Sequence, residues 1–374
     1  MAALGNIASV WNTIRELNVG EIRQQAEQPW TLALIGETAP RNTVAEVLRG
    51  TPGRFQAASR DALLVWDLLL PRERQNDLAS AGAVILVLDG ARPLPPEAVS
   101  TADKLVMVRQ PRVVAVIGRE RLPQTVDGRE ADLGGAKVVF LPQLTPQSIR
   151  DQLIPALVEV LPEGDRLAAG RRLPGLRDAI AQTLIGETSF SNATYALTSS
   201  LPELIPLLNL PLNAADMLVL TKNQALLTYK LGLAYGAPPD FQAQMREIMP
   251  VIGSGFVWRQ LARELVGLIP GFGMLPKVAV AYAGTYAVGH SAALWYGKGE
   301  VLSHGGLRQL YQQALALGKQ RARELIDRRK HAPQTGPTVR LEHATPSKPS
   351  VTGRIRRLLG GKPRPPTLPP PSAS

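Results

Sequence analysis

Five short, almost uninterrupted apolar runs, each followed by a helix-like segment, constrain this chain more than any other feature. They are Trp30–Ile35, Ala62–Trp66, Ala83–Leu88, Arg112–Ile117 and Lys137–Leu141. Runs without polar alternation belong to strands covered on both faces, which is the condition of a parallel sheet. The intervening segments Thr43–Arg49, Arg72–Ala81, Glu97–Lys104 and Pro146–Leu161 supply the helical crossovers that parallel strands need. The pattern predicts an α/β domain over residues 29–163. Ahead of it, residues 1–28 carry Ile7, Val10, Trp11, Ile14 and Leu17 at three-to-four spacing. That spacing predicts an amphipathic helix, packed on the body or lying at a membrane interface, with charge in its middle unlike the core of a signal peptide.

From Leu173 the strands stop. Helical stretches follow, punctuated by Pro202, Pro206, Pro211, Pro238-Pro239, Pro250, Pro270 and Pro276. They end in a helix whose core stripe is Leu307, Leu310, Ala314, Leu317 and Leu325. This predicts an all-α domain over residues 170–330. Residues 331–374 are rich in Pro, Ser, Lys and Arg and are expected to form a disordered basic tail. The pentapeptide LIGET occurs at Leu34–Thr38 and again at Leu184–Thr188, but unmatched flanks mark it as coincidence.

Composition excludes several chemistries. There is no cysteine, so disulfides, thiolate metal sites and a cysteine nucleophile are out. His290, His304, His331 and His343 show no metal-ligand spacing, and no G-x-S-x-G elbow is present. No metal or cofactor is expected. The net charge is +11, yet residues 319–374 carry thirteen basic side chains against three acidic ones, leaving the rest nearly neutral. A neutral body with a cationic end suits an anionic membrane surface. Nucleic acid is a poorer fit, because the tail lacks interleaved aromatics for base stacking.

A strand, a glycine and a helix are where a phosphate loop would lie. The pattern G-x-x-x-x-G-K-[ST] needs its second glycine for backbone approach, its lysine for the β/γ-phosphates and its hydroxyl for magnesium. From Gly36 this sequence reads GETAPRNT: Gly36 and Thr43 match, whereas Arg41 replaces the glycine and Asn42 the lysine. The second run ends in Asp67-Leu68-Leu69-Leu70, with an aspartate but no following glycine at the D-x-x-G spacing. Where N/T-K-x-D would read guanine, the chain has Gly118-Arg119-Glu120-Arg121. The order of elements resembles a Ras/Era-like GTPase domain, and the resemblance implies a P-loop NTPase-like fold whose nucleotide chemistry has degenerated. Residual nucleotide contact would fall on Gly36, Arg41, Asn42, Thr43 and Asp67. Thr43-Val44-Ala45-Glu46 also fits a capping box, a structural role for Thr43. Asp67 at a strand end equally fits a turn.

The helical half carries Phe190-Ser191-x-Ala193, Leu220-Thr221-Lys222-Asn223-Gln224, Gly267-Leu268-Ile269-Pro270-Gly271-Phe272-Gly273 and Tyr282-Ala283-Gly284-Thr285. Over about residues 175–300 this resembles the YcjF-like family of GTPase-associated domains found in bacterial proteins. The resemblance implies membrane association and supplies no catalytic residues. Val278–Tyr296 has nineteen residues without a formal charge, flanked by Lys277 and closed by Trp295-Tyr296. Its readings are a transmembrane helix, interfacial or hairpin insertion together with Leu265–Pro276, or a helix of the domain's core. Ala281, Thr285, Gly289 and Ala293 form a small-residue stripe that permits close helix approach. Asp216, Thr221, Asn223 and Gln224 interrupt an apolar helix, and with Lys277 they make a candidate polar pocket or a buried network fixing helix register.

No acid/base or nucleophile arrangement emerges, so the chain is expected not to be an enzyme. The leading expectation is a non-catalytic, membrane-associated scaffold or regulatory protein with a pseudo-GTPase domain, on the cytoplasmic side of the membrane, with a protein partner or self-association. The alternative is an atypical nucleotide-binding switch using Arg41 and Asp67.

Overall fold

The computed structural model describes residues 17–51, 53–55, 60–121, 124–125, 133–198, 214–252 and 274–331. Helix α1 (Gly20–Glu27) precedes β1 (Leu32–Gly36), α2 (Thr38–Arg49), β2 (Leu63–Trp66) and α3 (Gln75–Ser80). Then come β3 (Ala83–Asp89), α4 (Pro96–Val106), β4 (Arg112–Ile117) and β5 (Lys137–Leu141). The five strands form one sheet in the order β2-β1-β3-β4-β5, every neighbouring pair parallel. Leu34 of β1 lies beside Val65 on one side and Ile85 on the other.

The lack of polar alternation in the strands has a direct cause. Successive side chains point to opposite faces, and here both faces are buried. Leu32, Leu34, Ala83, Ile85, Val113 and Ala115 enter one core. Ala33, Ile35, Val84, Leu86, Val114 and Val116 enter a second one, under α3 and α4.

The chain leaves β5 through an α turn, Pro146–Ser148, a π turn, Ile149–Leu153, and α5 (Ile154–Val160). Thr145 caps this start: its Oγ1 accepts from the Ser148 N–H at 3.0 Å. Six helices follow or complete the chain's described part: α6 (Glu163–Arg172), α7 (Arg177–Thr198), α8 (Ala214–Ala234), α9 (Phe241–Ile252), α10 (Met274–Lys298) and α11 (His304–His331). The first core continues without a break from Trp30 and Leu34 through Leu157, Ala169 and Ile185 to Leu231 and Tyr296. The helices therefore cover one face of the sheet directly, and the described residues up to Lys330 form one compact unit.

Two expectations are corrected. The first crossover helix begins at Thr38, not Thr43. Only Glu37 separates it from β1, and Pro40 sits in its first turn, where a missing N–H is harmless. Second, no described helix is long and apolar enough to cross a membrane. Val278–Tyr296 falls within α10, which is enclosed by protein: Val278, Ala279, Ala283, Ala287 and Ala292 have no exposed surface. Alanine and glycine supply nine of the twenty-five residues of that helix and leave too few large aliphatic side chains for a span, while the same small residues allow tight packing. A Cβ on Gly289 would lie 2.7 Å from Ile185 Cγ1 on α7 and 3.1 Å from Leu227 Cδ2 on α8. The segments 1–16, 199–213, 253–273 and 332–374 lie outside the described residues, including the Gly-Leu-Ile-Pro-Gly run, most of the amphipathic N-terminal stretch and the basic tail.

Candidate functional site

In an open parallel sheet, ligands sit beyond the carboxyl ends of the strands where the strand order reverses. Here that point lies between β1 and β3. A phosphate loop would have to span Gly36 to Thr43, but the backbone is helical from Thr38 onward. No free loop of N–H groups remains to surround a phosphate. Gly36 answers a packing need instead: a Cβ there would stand 3.0 Å from both the Cβ and the carbonyl oxygen of Val87.

Three of the five residues expected at the nucleotide site come together. Arg41 is buried and donates to Asp67 Oδ1 at 2.5 Å and, more loosely, to the Gly36 carbonyl at 3.4 Å. Thr38 Oγ1 also donates to Asp67 Oδ1, at 3.4 Å. The other two diverge. Asn42, in the lysine position, is exposed. Thr43 lies inside α2, and its hydroxyl donates to the Ala39 carbonyl at 3.3 Å. The capping-box reading of Thr43 is thereby corrected: the N-cap is Glu37, which makes no side-chain capping bond.

The rest of the rim is likewise occupied by its own charges. Arg92 donates to Asp89 Oδ2 at 2.7 Å and to Glu37 Oε2 at 3.2 Å. Asp89 also accepts from the Ala91 N–H at 2.8 Å. Burial pushes the Asp89 carboxyl up, but the Ala91 N–H, Arg92 and Arg119 outweigh it and hold the group below the usual carboxylate range. The cleft beside these residues, lined by Glu37, Leu68, Asp89, Arg92, Leu94 and Pro95, holds about 120 Å³. Ligand clefts typically run to roughly 300–1,000 Å³. Glu37, Asp89 and Arg92 carry no signature in any phosphate motif, so the sequence pattern did not single them out.

The second candidate cluster joins three helices. Asn192 of α7 donates through Nδ2 to Thr285 Oγ1 of α10 at 2.7 Å, and its Oδ1 accepts from Asn223 Nδ2 of α8 at 2.6 Å. Gln224 Nε2 donates to the same Thr285 oxygen at 3.3 Å, and the Thr285 hydroxyl donates to the Ala281 carbonyl at 2.9 Å. Of the expected pocket residues, Asn223 and Gln224 are in this network. Thr221 and Lys277 have partners of their own, and the Asp216 side chain is outside the described residues. Asn192 was missed, and Thr285 was read only as part of the small-residue stripe, although both are fully buried; the signal each offered was a polar residue in an apolar helical stretch. No cavity opens onto the network among the clefts described for the molecule.

Among the described residues, no group of three His, Asp or Glu side chains could hold a metal ion. No family model matches the chain, and neither does any curated protein or solved structure.

Proposed function

We propose that this protein is a non-catalytic, membrane-associated scaffold in which a GTPase-like α/β layer has lost its nucleotide site. The observation that carries the reading is the helical start at Thr38, together with the Arg41–Asp67 pair at the carboxyl ends of β1 and β2. A phosphate group arriving there would have to unwind the first turn of α2 and separate that pair. The order of strands and crossovers agrees with a GTPase ancestry, and so does the placement of Asp67 directly after β2 beside α2. The resemblance of residues 175–300 to the YcjF-like family and the cationic C-terminal segment support membrane association on the cytoplasmic face.

Calorimetric titration with magnesium–GTP and magnesium–ATP tests the nucleotide half. Binding should be weaker than about 1 mM for both, with no hydrolysis above background. A micromolar constant for either nucleotide would sink the proposal.

A further inference from the structure

Helix α11 has two unlike sides. Leu307, Tyr311, Ala314, Gly318 and Ala322 form its buried stripe, and a Cβ on Gly318 would lie 2.7 Å from the Ala279 carbonyl. Backbone contact that close fixes how α11 lies along α10, and so fixes which side faces outward. On the outer side Arg308, Lys319 and Arg323 are exposed. At 3.6 residues per turn they fall within about 60° of one another around the axis. The exposed positions between and beside them, Gln309, Gln312, Ala316 and Gln320, are uncharged. From His304 to Arg323 there is no acidic residue. The first one, Glu324, bonds Arg321 on the helix flank at 2.9 Å.

Several exposed arginines elsewhere are paired with carboxylates. Arg23, Arg74 and Arg92 each lie within 3.2 Å of a carboxylate on their own or a neighbouring element. Among the described residues no carboxylate pairs with Arg308, Lys319 or Arg323, and Asp327, one turn beyond Arg323, is the first acidic residue on that side. Three cations along one side of a rigid helix, spread over about 22 Å, match a flat anionic surface better than a pocketed one.

We infer that the outer face of α11 is a docking surface for an anionic lipid bilayer. The inference deepens the membrane-associated reading and rests on it. Nucleic acid is the other polyanion with this charge, but it favours aromatic side chains for stacking, and the tyrosine of this helix, Tyr311, faces inward. Each basic residue near an anionic membrane adds about 1 kcal/mol, or roughly fivefold in affinity. Sequence continuity strengthens the effect: Arg328, Arg329 and Lys330 follow directly, and seven more basic residues lie between 332 and 374.

The test is flotation of the full chain with phosphatidylcholine vesicles, and with vesicles that also contain phosphatidylserine, at low and high salt. The chain is compared with Arg308→Glu/Lys319→Glu/Arg323→Glu and with the milder triple change to glutamine. Far-ultraviolet circular dichroism and melting curves check that all three share one fold. The expected result is binding to the phosphatidylserine vesicles, weakened at least tenfold by the glutamate variant at low salt and by less in the glutamine variant. If the parent binds and both variants bind equally well, the role of α11 is overturned while the membrane reading stands. If the parent binds neither vesicle, both fall. If a single-stranded RNA oligonucleotide binds more tightly than the vesicles and the variants lose it, lipid is the wrong occupant.

Discussion

The sheet's carboxyl edge and the centre of the helical layer both gather polar side chains, but they hold them in opposite ways. At the edge the groups are ionised and, apart from the buried Arg41, reached by water: Asp67 is 69 % exposed and Arg92 67 %. Between α7, α8 and α10 the groups are neutral amides and hydroxyls, and Asn192 and Thr285 have no exposed surface. Charges stay ionised where water or a partner charge reaches them, whereas a dry helix junction tolerates neutral polar atoms that bond one another. The edge is thus free to change chemistry during evolution at small cost to stability. The helix junction is not. The proposed loss of a nucleotide site from a fold that is kept agrees with that difference.

The largest expected effect lies where the two layers meet. Gly175 precedes α7, and a Cβ there would stand 2.2 Å from the Val47 carbonyl and 2.6 Å from that of Leu48. These are backbone atoms of α2 and cannot step aside by a rotamer change. Gly175→Ala should cost about 3 kcal/mol or more, seen as a large drop in the thermal midpoint. A small loss would mean that the helical layer sits on the sheet more loosely than one shared core implies.

Next in size is the amide network. Asn192→Ala removes the acceptor of Asn223 Nδ2 and one donor to Thr285 Oγ1, and it leaves a cavity at a fully buried position. The loss should be about 2–3 kcal/mol by urea unfolding. Asp67→Asn at the sheet edge, by contrast, should cost less, about 1 kcal/mol, because the carboxylate is solvated and the amide oxygen can still accept from the buried Arg41. Equal losses for the two variants would break the contrast between a dispensable rim and an indispensable junction.

These same regions differ in how far the sequence revealed them. The strands were legible almost to the residue: Arg112–Ile117 and Lys137–Leu141 have the bounds that their apolar runs predict. Burial on both faces leaves a signal inside each segment, so no long-range knowledge is needed. The start of α2 was misread because the phosphate motif and the capping box both pointed to Thr43, and neither pattern registers how short the turn after Gly36 is. LIGET makes the same point. At Leu34–Thr38 it ends a strand and starts a helix, and at Leu184–Thr188 it lies inside α7; partners distant in sequence decide. The amide network was half legible for that reason. Asn223 and Gln224 stand out in their helix, but Asn192 and Thr285 lie 31 and 61 residues from those partners. Burial of Val278–Tyr296 by neighbouring helices rather than lipid also depends on tertiary partners that hydropathy alone does not report.

The smallest expected effect belongs to His290, and it separates the helical layer from the edge by pH. His290 lies on α10, one turn after Tyr286, whose ring centroid is 4.2 Å from its own. Its Nε2 is buried without a hydrogen-bond partner. Burial holds its pKa below the usual 6.5, because an imidazolium there would give up water and gain no acceptor. The unfolded chain therefore takes up the proton first. Stability from this site is complete above about pH 6.5 and is lost as pH falls below that toward the folded value. Asp89 at the sheet edge acts in a lower window: its depressed carboxyl contributes above the ordinary carboxylate range and is lost only in stronger acid. Urea unfolding of the parent and of His290→Phe at pH 7.5 and pH 5.5 should isolate the histidine. The parent should lose more stability between those two pH values than the variant, by less than about 1 kcal/mol given the side chain's partial exposure. If the two lose the same amount, His290 has water or an acceptor in the folded state, and the junction around α10 is wetter than its packing implies.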